Sequence, residues 1–322
     1  MSRGNKRMIA NTFTKPLIEQ RADPYVYKHT DGYYYFTASV PTYDYIELRR
    51  SKTIDGLATA ETKAVWKRHE SGPMSEHIWA PEIHYLDGKW FIYFAAGEKE
   101  DVWKIRPYVL ECTGDEPMSD LWVERGMMQR ADNDPYSFTD FSLDATVFEH
   151  NGKRYFIWAE KVGGEGGISN LYIAEMESPI KLKTVQVLLT TPDYDWERFE
   201  FWVNEGPAVL KRNGKIFVTF SCSSTGAAYC MGLLEADDTA DLLDPQSWRK
   251  SRYPVFATDP ERNIYGPGHN SFTVSEDGDD LLIYHARPYE KIVGNPLYDY
   301  NRHTMVMKIK WDNDGRPRFE LD

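Results

Sequence analysis

The sequence predicts an all-β fold, a five-bladed β-propeller with about 60 residues in each blade. Three observations predict it. A pattern of two apolar strands joined by an Asp-Gly or Asn-Gly turn, typical of a β-hairpin, occurs five times. The turn glycines follow one another at intervals of 56, 64, 62 and 64 residues. The five units account for nearly all of the 322 residues, and few long helical patterns lie between them.

Each unit supplies a first strand, a tight turn and a second strand rich in Tyr, Phe, Ile or Trp. The units are ADPYVYKHTDGYYYFTAS from Ala22, APEIHYLDGKWFIYFAA from Ala80, LDATVFEHNGKRYFIWAE from Leu143, NEGPAVLKRNGKIFVTFS from Asn204 and GHNSFTVSEDGDDLLIYHA from Gly268. Strand-like runs between the hairpins, such as PYVLECT and NLYIAEM, bring each unit to four strands. A β-sandwich or a β-helix does not explain the period, so we expect one propeller domain over residues 1–322.

The composition argues against nucleic-acid and membrane partners. The chain has 38 Lys and Arg against 50 Asp and Glu, a net charge of −12, with no basic cluster that could bind phosphates. No apolar run reaches the roughly 18 residues of a membrane span. Three cysteines make no disulfide framework, and the basic N-terminal segment MSRGNKRMIANTFTKP lacks an apolar leader. We therefore expect a cytoplasmic protein, and its oligomeric state stays open.

Acidic residues and a histidine recur where the first strand of a unit begins. Asp23, Asp144, Glu205 and His269 lie 9, 8, 9 and 9 residues before their turn glycines, and in the second unit Trp79 holds that place. Because the first strands of a propeller line its central channel, we expect these side chains to converge at one end of the axis. Carboxylates brought together raise each other's pKa and lower stability, so their recurrence indicates a function.

Two functions fit such a group. Three carboxylates and a histidine could bind a cation. Alternatively, a carboxylic acid and a carboxylate could flank a glycosidic bond. The spread of the groups around a channel suits a sugar ring better than a compact ion, and His269 alone could serve an ion deeper in the channel. Aromatic residues make up 14% of the chain, which fits either a β-rich core or sugar stacking.

Five short motifs lie in order along the chain: ADP at Ala22–Pro24, WAPE at Trp79–Glu82, LDAT at Leu143–Thr146, NEGP at Asn204–Pro207 and GPGHNSF at Gly266–Phe272. Together they resemble the motifs of glycoside hydrolase family 43, and the resemblance covers essentially the whole chain. Each motif is weak alone, but their order and separation are specific. The resemblance implies a five-bladed propeller and an inverting glycosidase, since the family consists mostly of α-L-arabinofuranosidases, β-xylosidases and endo-arabinanases.

The resemblance also implies roles for the three carboxyl groups. Asp23 matches the general base that activates water, Glu205 matches the general acid, and Asp144 matches the carboxylate that orients Glu205 and tunes its pKa. The chemistry agrees, because burial beside a second carboxylate raises the pKa of an acid that must stay protonated. Asp23 must stay ionised, so we expect it to be solvated or hydrogen-bonded, with Pro24 fixing the turn that aims it.

Five further residues are expected to contact the substrate. His269 matches an axial histidine that in the family often lies near a cation, commonly calcium, although no cofactor is needed for the chemistry. Arg287, in YHAR, matches an arginine that reaches the sugar. Trp79 is expected to stack beneath the sugar, and Phe141 and Trp202 to shape the rim of the pocket.

The choice of sugar is the least determined point. The segments GPGHNSF and AAYCMGLLEAD look like the arabinofuranosidase branch. We therefore expect exo-acting release of terminal α-L-arabinofuranosyl residues from oligosaccharides derived from arabinan or arabinoxylan. The alternatives are a β-xylosidase or a bifunctional enzyme, then an endo-arabinanase. Outside the enzymes, a sugar-binding propeller or a scaffold for protein partners remains open, although neither explains three carboxyl groups at the axis.

Overall fold

The computed structural model describes residues 15–164 and 166–321, which fold into six antiparallel sheets. Strands β1 to β4 are Ala22–Lys28, Tyr34–Ser39, Tyr45–Ser51 and Thr62–Lys67; β5 to β8 are Glu76–Leu86, Lys89–Glu98, Asp101–Cys112 and Trp122–Met127; β9 to β13 are Ser142–His150, Lys153–Val162, Ile168–Ser178, Lys181–Leu182 and Val187–Thr190. Strands β14 to β17 are Asn204–Arg212, Lys215–Cys222, Cys230–Asp237 and Arg249–Lys250; β18 to β20 are Tyr265–Val274, Asp280–Arg287 and His303–Lys308; β21 and β22 are Lys310–Trp311 and Pro317–Arg318.

The first five of these groups are the blades of a propeller. Within each blade, consecutive strands pair in the order in which they occur, from β1 to β4 in the first blade to β18 to β20 in the fifth. The first strands contact one another in a closed ring, β1 with β5, β5 with β9, β9 with β14, β14 with β18, and β18 with β1. Strands β21 and β22 form a small separate hairpin. The predicted five-bladed β-propeller is therefore confirmed.

The ring closes through the segment before β1. The backbone N–H of Leu17 donates to the carbonyl of Thr304 (2.8 Å), and the N–H of Thr304 donates to the carbonyl of Ile18 (2.9 Å). This segment lies against β20, the outermost named strand of the fifth blade. The fifth blade thus contains residues from both ends of the ring, and their pairing links the first blade to the fifth. The sequence pattern alone did not specify this closure.

The core lies between neighbouring blades, because both faces of each sheet are covered. The fourth residue after the turn glycine is fully buried in every blade: Phe36, Ile92, Phe156, Val218 and Leu282. Short 3₁₀ helices occupy connections at Asp55–Ala58, Asp195–Glu197, Pro245–Ser247, Pro260–Arg262 and Pro296–Tyr298. None of the helices in the described part of the chain is long and apolar enough to cross a bilayer.

Every first strand is interrupted near the axis by a residue with a left-handed backbone. These residues are Asp23 (φ 54°), Ala80 (φ 45°), Asp144 (φ 54°), Gly206 (φ 54°) and His269 (φ 39°). Each one lies where the pairing register with the second strand shifts. Such bulges re-aim side chains and are frequent beside active sites. The left-handed conformation is unfavourable for residues other than glycine, so the surrounding structure must hold it in place.

The bulges correct the expected equivalence of Glu205 and Trp79 with Asp23. The residues at the backbone position of Asp23 are Gly206 in the fourth blade and Ala80 in the second. Glu205 and Trp79 each precede that position by one residue. Counting back from the turn glycine misplaced them because the distance from bulge to turn is not the same in all blades.

Candidate active site

A cavity of about 700 Å³ opens at one end of the central channel. Seven of the eight predicted site residues line it, namely Asp23, Trp79, Phe141, Asp144, Trp202, Glu205 and His269. Further lining residues lie near the ends of strands β7 and β10 and in the connections between strands, and include Trp103, Lys161, Phe201, Asn295, Leu297 and Arg302. The bulges of three different blades thus bring Asp23, Asp144 and His269 to one place, as the repeat pattern predicts.

Asp23 is buried and densely partnered. Its Oδ2 accepts a hydrogen bond from Ser39 Oγ (2.6 Å), and its Oδ1 lies 3.4 Å from Arg302 Nη1 and 3.3 Å from His269 Nδ1. Burial alone would raise the pKa of Asp23, but the charge of Arg302 leads the opposing effects and the pKa lies well below its usual range. Hydrogen bonds and an arginine, rather than solvent, therefore keep Asp23 ionised.

The two histidines beside Asp23 have lowered pKa values. Burial lowers the pKa of His285 to about 3, and its Nδ1 accepts a hydrogen bond from the backbone N–H of Asp23 (3.1 Å). Burial likewise lowers the pKa of His269, against the raising effect of the Asp23 charge. The positive charge next to Asp23 is therefore supplied by Arg302.

Glu205 has the opposite electrostatic environment. Burial is the main cause that raises its pKa to about 7, and the negative charge of Asp23 adds to it. The hydroxyl of Tyr229 donates to Glu205 Oε1 (2.8 Å) and partly opposes the rise. A carboxyl group with this pKa stays largely protonated below neutral pH while Asp23 is ionised. The two groups thus have the protonation states of an acid and a base.

Asp144 lies beside the backbone of Glu205. Its Oδ2 accepts a hydrogen bond from the N–H of Gly206 (3.1 Å), the residue that follows Glu205. Burial raises the pKa of Asp144 well above its usual range, and the charges of Glu205 and Asp23 raise it further. A Cβ at position 206 would lie 3.1 Å from the ring of His269, so a glycine suits this turn on grounds of space as well as backbone conformation.

The expectation that Arg287 reaches the sugar needs correction. Its side chain lies outside the cavity lining, 2% exposed, and donates to the carbonyls of Thr225 (2.6 Å) and Pro296 (2.7 Å) and to Asp299 Oδ1 (3.2 Å). Burial lowers its pKa to about 10. Arg287 therefore holds two loops together, and Arg302 is the arginine that lines the cavity.

Aromatic side chains form the walls and the mouth of the cavity. Trp79 is buried in the wall, and its ring stacks on that of His77 with centroids 4.4 Å apart. Phe141 is half-buried, whereas Trp202 is 45% exposed at the mouth with the guanidinium of Arg198 4.2 Å above its ring. Two further exposed rings at the mouth are Trp103 and Phe201. The walls offer apolar faces, and the floor carries the charged groups.

Comparison with known proteins settles the family. The model of the glycosyl hydrolases family 43 matches residues 13–317. The chain belongs to glycosyl hydrolase family 43. Among its relatives, the extracellular exo-α-(1→5)-L-arabinofuranosidase of Streptomyces avermitilis is 52% identical over 311 residues, which are 96% of this chain and 63% of the relative. The enzyme of the same name from Streptomyces chartreusis is 50% identical over 88% of this chain and 85% of its own.

A solved structure is similar over almost the whole length of both chains. The α-L-arabinofuranosidase from Lactobacillus brevis is 54% identical, with a TM-score of 0.90, over 95% of this chain and 96% of its own. By contrast, this family 43 chain spans less than two thirds of the length of the Streptomyces avermitilis enzyme.

The expectation of a cytoplasmic protein is wrong. The names of the two Streptomyces relatives describe extracellular enzymes. The cysteine argument failed because all three cysteines, at 112, 222 and 230, are buried free thiols, and burial shields a thiol from an oxidising medium. Of the segment in which no leader was seen, residues 1–16, the first 14 lie outside the described residues.

A calcium ion beside His269 stays a prediction. Within the described ranges, no group of three or more His, Cys, Asp and Glu side chains is arranged to hold a metal ion. The Nδ1 of His269 faces Asp23 and lies 3.6 Å from Asp144 Oδ2. This nitrogen is therefore occupied by the carboxyl groups of the site.

Sequence reasoning missed the residues that support the carboxyl groups. Arg302, in YDYNRHTM, lies in a loop with no repeat pattern, and Tyr229, in AAYCMG, begins the strand region after the fourth hairpin. Ser39 ends the second strand of the first unit, in TAS, and His285 lies two residues before the end of the second strand of the fifth unit, in YHAR. Because the second strands lie beside the bulges, their last residues could have been searched for polar side chains.

Proposed function

We propose that this chain is an inverting, exo-acting α-L-arabinofuranosidase. One observation carries the proposal: a single cavity holds one carboxyl group kept ionised, Asp23, and one kept protonated, Glu205. Glycoside hydrolysis with inversion requires that pair, a base for the attacking water and an acid for the leaving oxygen.

In the proposed reaction, Asp23 takes a proton from a water molecule as its oxygen bonds to the anomeric carbon. Glu205 gives its proton to the glycosidic oxygen as the bond from that oxygen to the anomeric carbon breaks. The products are a free sugar of inverted configuration and an alcohol. Glu205 then takes up a proton from solvent, and Asp23 releases its proton to solvent. Arg302 holds Asp23 ionised, and Asp144 anchors the backbone beside Glu205.

The proposed substrates are α-(1→5)-linked arabino-oligosaccharides. The names of the Streptomyces relatives and of the Lactobacillus brevis structure support arabinofuranosidase activity, and the Streptomyces names specify the exo mode and the linkage. They also support a site of action outside the cell. The buried Trp79 would stack on the terminal sugar, and the exposed Trp202 would contact the sugar that leaves.

Paired substrates test the proposal. Purified protein should hydrolyse p-nitrophenyl α-L-arabinofuranoside and release arabinose and arabinotriose as the first products from arabinotetraose. In Glu205→Gln, the activity on arabinotetraose should fall by about 10²- to 10⁴-fold. Thermal unfolding of the variant shows that the fold survives. A preference for p-nitrophenyl β-D-xylopyranoside would favour a β-xylosidase, and arabinobiose among the first products would favour an endo-arabinanase. Sugar binding without turnover would make the protein a lectin-like propeller.

A further inference from the structure

We infer that Tyr229 is a positioning residue that fixes which oxygen of Glu205 carries the catalytic proton. The inference rests on the proposed function and goes beyond it by adding a residue outside the cavity lining. Tyr229 is 1% exposed, and its hydroxyl donates to Glu205 Oε1 (2.8 Å). It would therefore act on the substrate only through Glu205.

The ring of Tyr229 is held in place on two sides. It lies parallel to the imidazole of His285, with centroids 5.6 Å apart and an interplanar angle of 8°. On another side lies Gly268, where a Cβ would be only 2.5 Å from Cε1 of the tyrosine. The absent side chain at Gly268 thus makes room for the ring. The constrained ring thus holds the hydroxyl within hydrogen-bond distance of Glu205 Oε1.

Tyr229 is a donor in this hydrogen bond at every pH of interest. Burial raises the pKa of its hydroxyl well above the usual range, and the carboxyl groups of Glu205, Asp144 and Asp23 raise it further. A protonated carboxyl group accepts hydrogen bonds better on its carbonyl oxygen than on its hydroxyl oxygen. Donation to Oε1 therefore makes Oε1 the carbonyl oxygen and leaves the proton on Oε2.

The same hydrogen bond assists the transfer of the proton. When Glu205 gives its Oε2 proton to the glycosidic oxygen, Oε1 becomes part of a carboxylate, and a hydrogen bond to an ionised acceptor is stronger than one to a neutral acceptor. Tyr229 thus stabilises Glu205 more after the transfer than before it. This agrees with the lowering effect of the Tyr229 bond on the pKa of Glu205.

Tyr229→Phe tests the inference, because phenylalanine keeps the ring and removes only the hydroxyl. We expect kcat on α-(1→5)-arabinobiose, whose alcohol leaving group needs protonation, to fall about 10- to 100-fold. The fall on p-nitrophenyl α-L-arabinofuranoside should be much smaller, since nitrophenolate leaves with little help. The basic limb of the kcat/KM profile should move to higher pH, because the bond that lowers the pKa of Glu205 is gone.

Tyr284→Phe is the matched control. Tyr284 is also fully buried, lies on β19 next to His285, and has a hydroxyl with no hydrogen-bond partner among the described residues. This variant should keep both the leaving-group dependence and the pH profile. If kcat of Tyr229→Phe fell equally on both substrates, or if the basic limb did not move, the role of Tyr229 would be merely structural and the inference would be overturned. An inactive wild-type protein would instead refute the proposed function, and the inference with it.

A second measurement leaves Tyr229 unchanged, so it does not depend on whether Tyr229→Phe folds. Infrared difference spectra between the wild type and Glu205→Gln isolate the carbonyl stretch of protonated Glu205. We expect the lowered frequency of a carbonyl that accepts one strong hydrogen bond. The frequency of a free carbonyl would overturn the inference.

Discussion

Removing the charge of Arg302 should lower kcat/KM at the acidic end of the pH profile. Arg302 Nη1 lies 3.4 Å from Asp23 Oδ1, and both side chains are buried. At that distance, with an effective dielectric constant of about 20, two unit charges attract by about 5 kcal/mol. In Arg302→Met this attraction is lost. The pKa of Asp23 must therefore rise.

The proposed mechanism requires an ionised Asp23 and a protonated Glu205 at the same time. A higher pKa of Asp23 raises the lower limit of the pH range in which both conditions hold. Water that enters the vacated space replaces part of the lost attraction. With a net loss of about 3 kcal/mol in the stabilisation of the Asp23 carboxylate, kcat/KM at the acidic end should fall about 100-fold. The basic limb should move less, because Arg302 is the leading charge that lowers the pKa of Asp23 but a minor influence on Glu205.

The assay is the pH dependence of kcat/KM on p-nitrophenyl α-L-arabinofuranoside, with Arg302→Lys as the control that keeps a positive charge. Thermal unfolding should show a loss of about 3 to 5 kcal/mol in Arg302→Met, because Asp23 is left as an unpaired buried charge. The depressed pKa of Asp23 gives the wild type stability that is present above the ordinary pKa of aspartate and is lost as the pH falls through the folded value. An acidic limb that does not move in Arg302→Met would refute this account of Asp23.

The remaining predictions concern the bulge in the fourth blade and the axial cation. Gly206→Ala should destabilise the protein by about 1 to 2 kcal/mol in urea and lower kcat, since its Cβ meets the ring of His269 at a φ of 54°. The control Gly214→Ala has a positive φ without the crowding and should leave kcat unchanged, so equal kcat in the two variants would contradict the crowding argument. If calcium binds beside His269, EDTA should lower Tm, added calcium should restore it, and kcat measured well below Tm should not change. A Tm that neither EDTA nor calcium changes would argue against the ion. A loss of kcat in EDTA would indicate that the ion takes part in the chemistry.

The fold was predictable because its signal is local and repeated. Asp-Gly and Asn-Gly turns, such as Asp87-Gly88 and Asn151-Gly152, favour hairpins because both of their residues adopt a positive φ. The period of these turns then leaves few architectures. The closure of the ring was not predictable, since Leu17 and Thr304 pair across 287 positions and neither stands in a recognisable pattern.

Within the site, the three carboxyl groups could be located from the sequence, because the repeat places Asp23 and Asp144 at equivalent bulges of two blades and the motif NEGP marks Glu205. The residues that give these carboxyl groups their protonation states became visible only in the packed structure. Arg302 and Tyr229 reach the site from loops outside the repeat pattern. Arg287, which the motif YHAR marks, lies outside the cavity lining. A pKa depends on distances of a few ångströms and on burial, and these are properties of the packed chain that no spacing along the sequence records.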